Sequence, residues 1–267
     1  MADTSRCTVI ILAAQRTGVV NPLAQRAGVS HKCLVPIAGR PLITHVMDVI
    51  AASPEAVKVR VMVEPDGQEA LAPLLEDYRA RGLAIDLVSS SENIVESVLL
   101  GAQDEQGPFI VTTADNVLLT RTSFAATLGA LEEYDAAMNL AAKPSVQAIH
   151  PQAQRRFYEF RDEGYANCNL YGIAGPHAFR AAEVFREGGQ FMKNPKRLIT
   201  AFGLFNILLF RFKLLTLEAA ARRMSRRFGV KVATLVPADG GQAVDVDNER
   251  TYEVAEMVLE QRAAASA

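Results

Sequence analysis

The chain has 267 residues, 49% hydrophobic and 22% charged, which excludes a disordered or fibrous class and gives enough apolar surface for a substantial core. Its 28 Lys and Arg nearly balance 30 Asp and Glu; a net charge of -2 excludes general attraction to nucleic acid or anionic lipid, so any phosphate binding has to be local. Cys7, Cys33 and Cys168 are odd in number, widely separated and outside any paired metal spacing, which argues against a disulfide framework or a zinc site, and a reducing cytoplasm fits them.

The polar residues 1–6 lead into an apolar run, 9–14, too short and wrongly flanked for an export signal. Short β-rich runs then alternate with helical periodicity, the signature of a parallel sheet wrapped by helices. Strands are predicted at 8–13, 57–63, 84–89 and 109–113, with crossover helices at 41–52, 68–81 and 93–103. Between the first strand and the first helix lies a long irregular loop, 15–31. In the second half, strands are predicted at 155–161 and 167–174 around the turn formers Asp162, Glu163 and Gly164. Helices at 195–210 and 216–228 follow, then a strand pair at 231–236 and 242–246, and a closing helix at 248–262. Residues 263–267 read as a frayed tail. The longest apolar stretch, 204–217, is broken by Asn206, Arg211 and Lys213 and is no transmembrane helix; it reads as core or oligomer surface, although its basic residues leave room for an interfacial helix touching a lipid-linked acceptor. No linker separates the halves. The expectation is one continuous α/β domain, with 1–140 as a nucleotide half and 141–262 as an acceptor half.

The chemistry-bearing residues fall where such a sheet places ligands. In a doubly wound fold the crevice lies at the carboxyl ends of the strands, and the 15–31 loop leaves the first strand carrying Arg16, Gly18, Arg26 and Gly28, with Lys32 just beyond. Neither G-x-G-x-x-G nor a Walker A sequence is present, which argues against a dinucleotide site and a P-loop. Asp115 follows the predicted strand 109–113, at the position of a metal ligand. Mg²⁺ prefers one or two carboxylates supplemented by phosphate oxygens and water, so one aspartate on a rigid strand end suffices; the alternative for Asp115 is a helix N-cap. Lys193, Lys196 and Arg197 form a basic set that either holds an acceptor phosphate or starts a solvated helix.

The segment Lys32-Cys33-Leu34-Val35-Pro36-Ile37-Ala38-Gly39-Arg40-Pro41-Leu42-Ile43, preceded by Leu12-Ala13-Ala14, resembles the nucleotidyltransferase signature L-A-A-G-x-G followed by P-K-x-L-x-P-x-x-G-x-P-L. The resemblance is to the MobA-like NTP transferases and their sugar-phosphate and methylerythritol-phosphate relatives. It implies a Rossmann-like, mostly parallel sheet flanked by helices, of the nucleotide-diphospho-sugar transferase type, with a small β/α acceptor-side subregion. It also implies that Leu12, Ala13, Ala14, Gln15, Arg16 and Lys32 surround the triphosphate, with Lys32 as the phosphate lysine and Arg16 as a second cation. Gln15 stands where the family has glycine, and either contacts base or ribose or points away. His31 stands where proline is usual. Ser97 matches the family's base and ribose serine, and Asn167 and Asn169 match the strand that meets the acceptor. The run Val244-Asp245-Val246-Asp247-Asn248-Glu249-Arg250-Thr251-Tyr252 resembles the family's D-I-D-T-P-E-D-L ending. A strand there would place Asp245 and Asp247 on one face, either able to share a metal with Asp115; Asp247 is preferred.

The function that follows is Mg²⁺-dependent transfer of a nucleoside monophosphate from an NTP to a phosphorylated sugar, polyol or other alcohol, with release of pyrophosphate. CTP is favoured over GTP or UTP. A homo-oligomer is left open. The competing readings are a glycosyltransferase that consumes a nucleotide-sugar and a non-catalytic nucleotide-binding domain, neither of which releases pyrophosphate.

Overall fold

The computed structural model of the chain describes residues 2–15, 21–181 and 203–266. Strand β1 (Cys7–Leu12) is almost wholly buried, because Val9 and Ile11 pack on one side of the sheet while Ile10 packs on the other. A run that is apolar at consecutive positions, not alternate ones, suits a strand covered by helices on both faces. The chain then passes through α1 (Pro22–Ala27), started by proline and capped by Asn21, to the small hairpin of β2 (Pro36–Ile37) and β3 (Arg40–Pro41). Helix α2 (Leu42–Ala51) and the β4 (Ala56–Val63), α3 (Pro65–Ala80), β5 (Ala84–Ser89), α4 (Ile94–Ala102) series complete the first half. Asn93 starts α4 by accepting from the Val95 and Glu96 amides.

Strand β6 (Phe109–Thr113) lies on the other side of β1, and α5 (Arg121–Ala130), β7 (Ala136–Ala142), α6 (Lys143–Ile149), β8 (Tyr158–Glu159) and β9 (Gly164–Ile173) follow. The chain ends in α7 (Leu204–Arg211), α8 (Leu217–Phe228), β10 (Val232–Leu235) and α9 (Glu249–Ser266). The eight-stranded sheet runs β10-β7-β9-β6-β1-β4-β5, with β8 appended to β9. All pairings along it are parallel except those of β9, which lies antiparallel between β6 and β7. Because β1 pairs with β4 on one side and β6 on the other, the chain switches direction around β1, and such switch points open a crevice at the strand ends.

The four strands and three helices expected in the first half are each present to within three residues. The second half departs from them. Residues 155–161 contribute only the two-residue β8, and 167–174 is the later part of a longer β9. Strand β7, with the sequence Ala-Ala-Met-Asn-Leu-Ala-Ala, and α5 give weak periodic signals, since alanine favours neither pleat nor amphipathic stripe. Within the 15–31 loop, α1 forms where only irregular chain was expected. Helix α9 runs through Ser266, so the alanines after Arg262 extend a helix instead of fraying. The predicted helix at 195–210 is seen as α7; its part before residue 203 lies outside the described residues.

The strand expected at 242–246 does not form. A 3-10 turn spans Gly240–Ala243, with the Asp239 carboxylate accepting the Gly241 amide at 2.8 Å, and β10 pairs with β7 instead. The chain beyond the turn is held by one backbone bond, from the Val246 amide to the Asp115 carbonyl at 3.2 Å. Gly240 makes the approach: a Cβ there would lie 2.2 Å from the backbone carbonyl of Ser145. Gly240→Ala is therefore expected to destabilise the protein by about 1–3 kcal/mol, because backbone rather than a pliable side chain has to yield. Urea unfolding of the two proteins checks this.

Candidate active site

The crevice holds three aspartates around one lysine. Asp115 follows β6 at the level of Ala14, since Leu12 pairs with Thr113 and the Ala114 amide donates to the Leu12 carbonyl. Lys32 opens a 3-10 turn (Lys32–Leu34) whose Cys33 is anchored in the core. Its ammonium donates to Asp115 Oδ2 and, at 2.7 Å, to Asp247 Oδ1. Burial pulls the Lys32 pKa down, but the charges and hydrogen bonds of Asp115 and Asp247 outweigh it and leave the pKa above the ordinary lysine value.

Asp245 and Asp247 reach the cluster by different routes. A shared face needs a strand, and none forms here: the Asp247 amide donates to the Asp245 carbonyl at 2.9 Å, a tight turn between the two aspartates. Asp247 is exposed, its side chain 66% accessible, whereas Asp245 points inward beside Asp115. The Asp245 carboxyl is raised well above the usual carboxylate range, first by burial and then by the charges of Asp115 and Asp247.

A relay of amides fixes Asp245. Between Met138↔Tyr171 and Leu140↔Asn167 strand β9 advances four residues while β7 advances two, so β9 bulges. The bulge puts Asn169 at φ 46, a left-handed conformation that Asn tolerates, and aims its Nδ2 at Asp245 Oδ2 at 2.7 Å. Asn167 Nδ2 donates to Asn169 Oδ1 and to the Tyr171 hydroxyl, both at 2.6 Å, which sets the orientation of the second amide. Beneath them the buried Asn116 donates to Thr112 Oγ1 and to the Cys168 carbonyl, tying β6 to the bulge. Asn116 and Tyr171 were given no role from the sequence. The position of Asn116 directly after Asp115 is a signal that could have marked it; Tyr171 gives none.

On the other side of β1, the Gln15 amide donates to Glu64 Oε1 at 2.6 Å, and Gln15 Nε2 donates to the Ser30 carbonyl at 3.0 Å. The Gln15 side chain thus braces the loop, leaving its buried Oε1 without a partner. Glu64, at the end of β4, was not anticipated either. Ser97 is buried in α4, where its hydroxyl accepts from the Ser91 amide and donates to the Ser91 carbonyl, pinning the loop in front of that helix. Arg16, Lys193, Lys196 and Arg197 lie outside the described residues.

Whether a cation fits is answered by two atoms. Asp115 Oδ1 and Asp245 Oδ1 are buried and have no hydrogen-bond partner, although buried carboxylate oxygens are normally satisfied. Among the described residues no group of three His, Cys, Asp or Glu side chains forms a ready-made metal cage. That combination suits a hard cation that takes one or two carboxylates and finds its other ligands in substrate and water, and it does not suit zinc.

An aspartate-and-lysine cluster at a switch point has the charges to meet a polyphosphate and its counter-cation. The chain belongs to the MobA-like NTP transferase domain family, whose model matches residues 9–164, and it is a nucleotidyltransferase. No curated protein matches the sequence. Among solved structures, a hypothetical transferase from Thermus thermophilus is similar at 24% identity and TM-score 0.75, over 92% of this chain and 99% of that one. A 4-diphosphocytidyl-2C-methyl-D-erythritol synthase from Anaerococcus prevotii is similar at 12% identity and TM-score 0.61, over 97% and 100% of the two chains. A CMP:2-keto-3-deoxy-manno-octonic acid synthetase complexed with CTP is similar at 13% identity and TM-score 0.56, over 96% and 99%.

The raised Asp245 pKa has a consequence for stability. A carboxyl that titrates higher in the folded than in the unfolded chain favours folding while protonated, and this advantage is lost as pH rises from about 4, the unfolded value, through the folded one. Asp245→Asn keeps an acceptor for Asn169 and removes the charge. It is expected to raise the Tm of the metal-free protein at pH 8 and to lose that gain near pH 4. Calorimetry at the two pH values checks both halves.

Proposed function

We propose that the crevice transfers a nucleoside monophosphate from an NTP to a phosphorylated sugar, polyol or other alcohol and releases pyrophosphate, with residues 1–140 holding the nucleotide and 141–262 the acceptor. The observation that carries this reading is the pairing of Lys32 with Asp115 and Asp247 while Asp115 and Asp245 each keep a buried, unpartnered oxygen. CTP is the favoured nucleotide, a preference supported by the two cytidine-related neighbours and testable against the other three.

In this reading an acceptor phosphate oxygen attacks the α-phosphorus in line. The bond from that phosphorus to the oxygen bridging to the β-phosphate breaks, and pyrophosphate leaves with the electron pair. No protein nucleophile and no proton abstraction are required, because a phosphate oxygen is already ionised at neutral pH. Asp115 with Asp245 or Asp247 would hold Mg²⁺; Asp245, with its buried, unpartnered Oδ1, takes first place over the exposed Asp247 preferred from the sequence, and Asn169 orients Asp245 for that task. Magnesium, when bound, neutralises phosphate charge and so favours both approach of the acceptor and departure of pyrophosphate. The Lys32 ammonium, kept charged by its carboxylate partners, serves the β- and γ-phosphates as a donor on a flexible stem. Leu12, Ala13, Ala14 and Gln15 line the triphosphate with backbone, and Arg16 adds a cation there. Ser97 acts by holding the loop at 91–97 beside the ribose. Asn167 and Asn169 face the acceptor, with Lys193 as a phosphate contact.

Such catalysis rests on positioning and charge stabilisation, so loss of one metal carboxylate raises the barrier by several kcal/mol, about a hundredfold or more in rate. Pyrophosphate release measured with each of the four NTPs, Mg²⁺ and a panel of sugar, polyol and alcohol phosphates should require one NTP and one acceptor. Asp115→Asn should lose that release by about a hundredfold or more while the protein stays folded. Full turnover by Asp115→Asn, or consumption of nucleotide-sugar without pyrophosphate, would overturn the assignment.

A further inference from the structure

The end of the molecule opposite β5 carries an apolar face that the described residues leave exposed. On α7 and the residues after it, Phe205 is 65% exposed, Phe212 66% and Leu214 55%, with Leu208 exposed beside them. Phe205, Leu208 and Phe212 recur at the spacing of one helical stripe. The rest of the helix is engaged: Phe210 packs edge-on against Phe160 at 5.2 Å, and Asn206 accepts from Arg223 Nη1 at 2.9 Å. Apolar side chains therefore face outward from a helix whose other surface is anchored, and no helix among the described residues is long and apolar enough to cross a membrane.

The charge around this stripe is one-sided. From residue 204 to 228 the sequence has five Arg and one Lys against a single Glu, a local excess of five positive charges in a chain whose net charge is -2. Arg223 lies over the Phe205 ring at 5.7 Å, so the basic edge of α8 borders the apolar stripe directly. Arg211 and Lys213 are exposed within the stripe itself, and Arg222 and Arg226 are exposed one turn apart on α8. Some of this charge is engaged: Glu218 pairs with Arg222, and Lys213 reaches Glu159 at 3.2 Å. Aromatic and leucine side chains bordered by arginine are what an anionic bilayer surface accepts, the apolar groups entering at headgroup depth and the cations meeting lipid phosphate.

We propose that α7 and α8 dock the protein on an anionic lipid surface. The occupant is chosen by charge complementarity, since a second copy of the same face would oppose one positive field with another. The inference is independent of what the carboxylate cluster does. It bears on the acceptor side of the molecule nonetheless, because Phe210 of α7 packs on Phe160 and Lys213 just beyond α7 reaches Glu159 of β8, and β9 leads from that hairpin to Asn167 and Asn169.

The test is sedimentation of the full chain with vesicles of phosphatidylcholine alone and with vesicles in which about a third of the lipid is phosphatidylglycerol. Binding is expected to the anionic vesicles, to weaken with added salt, and to be small on the neutral ones. Phe205→Ser combined with Phe212→Ser should weaken it about a hundredfold, and Arg222→Gln combined with Arg226→Gln about tenfold, with thermal unfolding unchanged since these four side chains lie at the surface. Failure to bind anionic vesicles, or binding that both paired variants retain, would overturn the proposal. So would a dimer in sedimentation velocity that Phe205→Ser with Phe212→Ser disperses, which would give the face to a second copy. None of these readouts depends on pyrophosphate release, so docking and chemistry fail separately.

Discussion

One ammonium lets three carboxylates share a pocket. Asp115, Asp245 and Asp247 converge on the strand end of β6, and like charges at that separation repel strongly in a partly buried place. Lys32 answers two of them directly, and Asn169 gives the third a neutral donor. The elements around the site are arranged to make this juxtaposition: the turn after β2's upstream loop fixes Lys32, the bulge in β9 fixes Asn169, and the backbone bond from Val246 to Asp115 fixes the late aspartates. The cluster is costly to the fold in the absence of a cation, as buried like charges are, and a cost of this kind is what a binding site retains when selection acts on chemistry.

How far the sequence revealed this depends on whether a residue's position is set locally or by long-range contact. Asp115 was legible because the end of a buried strand locates a side chain almost alone, and Lys32 through its place in the segment that resembles the nucleotidyltransferase signature. Asp245 and Asp247 were legible as residues but not as geometry. Their i, i+2 spacing invites a strand, yet Gly240 and Gly241 permit a turn that presses against Ser145, a contact about a hundred residues away in sequence that no periodicity records. The placement of β9 was likewise hidden. Its insertion between β6 and β7 comes from pairing partners, and its bulge from a register shift, neither of which alters the composition of the strand. Hence Tyr171 and Asn116, whose roles exist only because of that bulge, carried little or no sequence signal.

The apolar stretch around Phe205 shows the opposite limit. From composition alone, a run of Leu and Phe is most economically placed in a core, and only the packing of Phe210 against Phe160 reveals which side of the helix is inside. A protein with near-balanced overall charge can still concentrate cations over two dozen residues, so the whole-chain value constrained bulk behaviour without constraining this surface.

The single backbone bond between Val246 and Asp115 also orders events in time. The polypeptide leaves the ribosome amino end first, and the sheet through β9 has its partners long before residue 245 emerges. A nascent chain at that stage carries Lys32 and Asp115 but neither Asp245 nor Asp247. The three-carboxylate cluster is thereby completed only when synthesis has passed the last turn, and a truncated product ending before it holds the Lys32–Asp115 pair without its late partners.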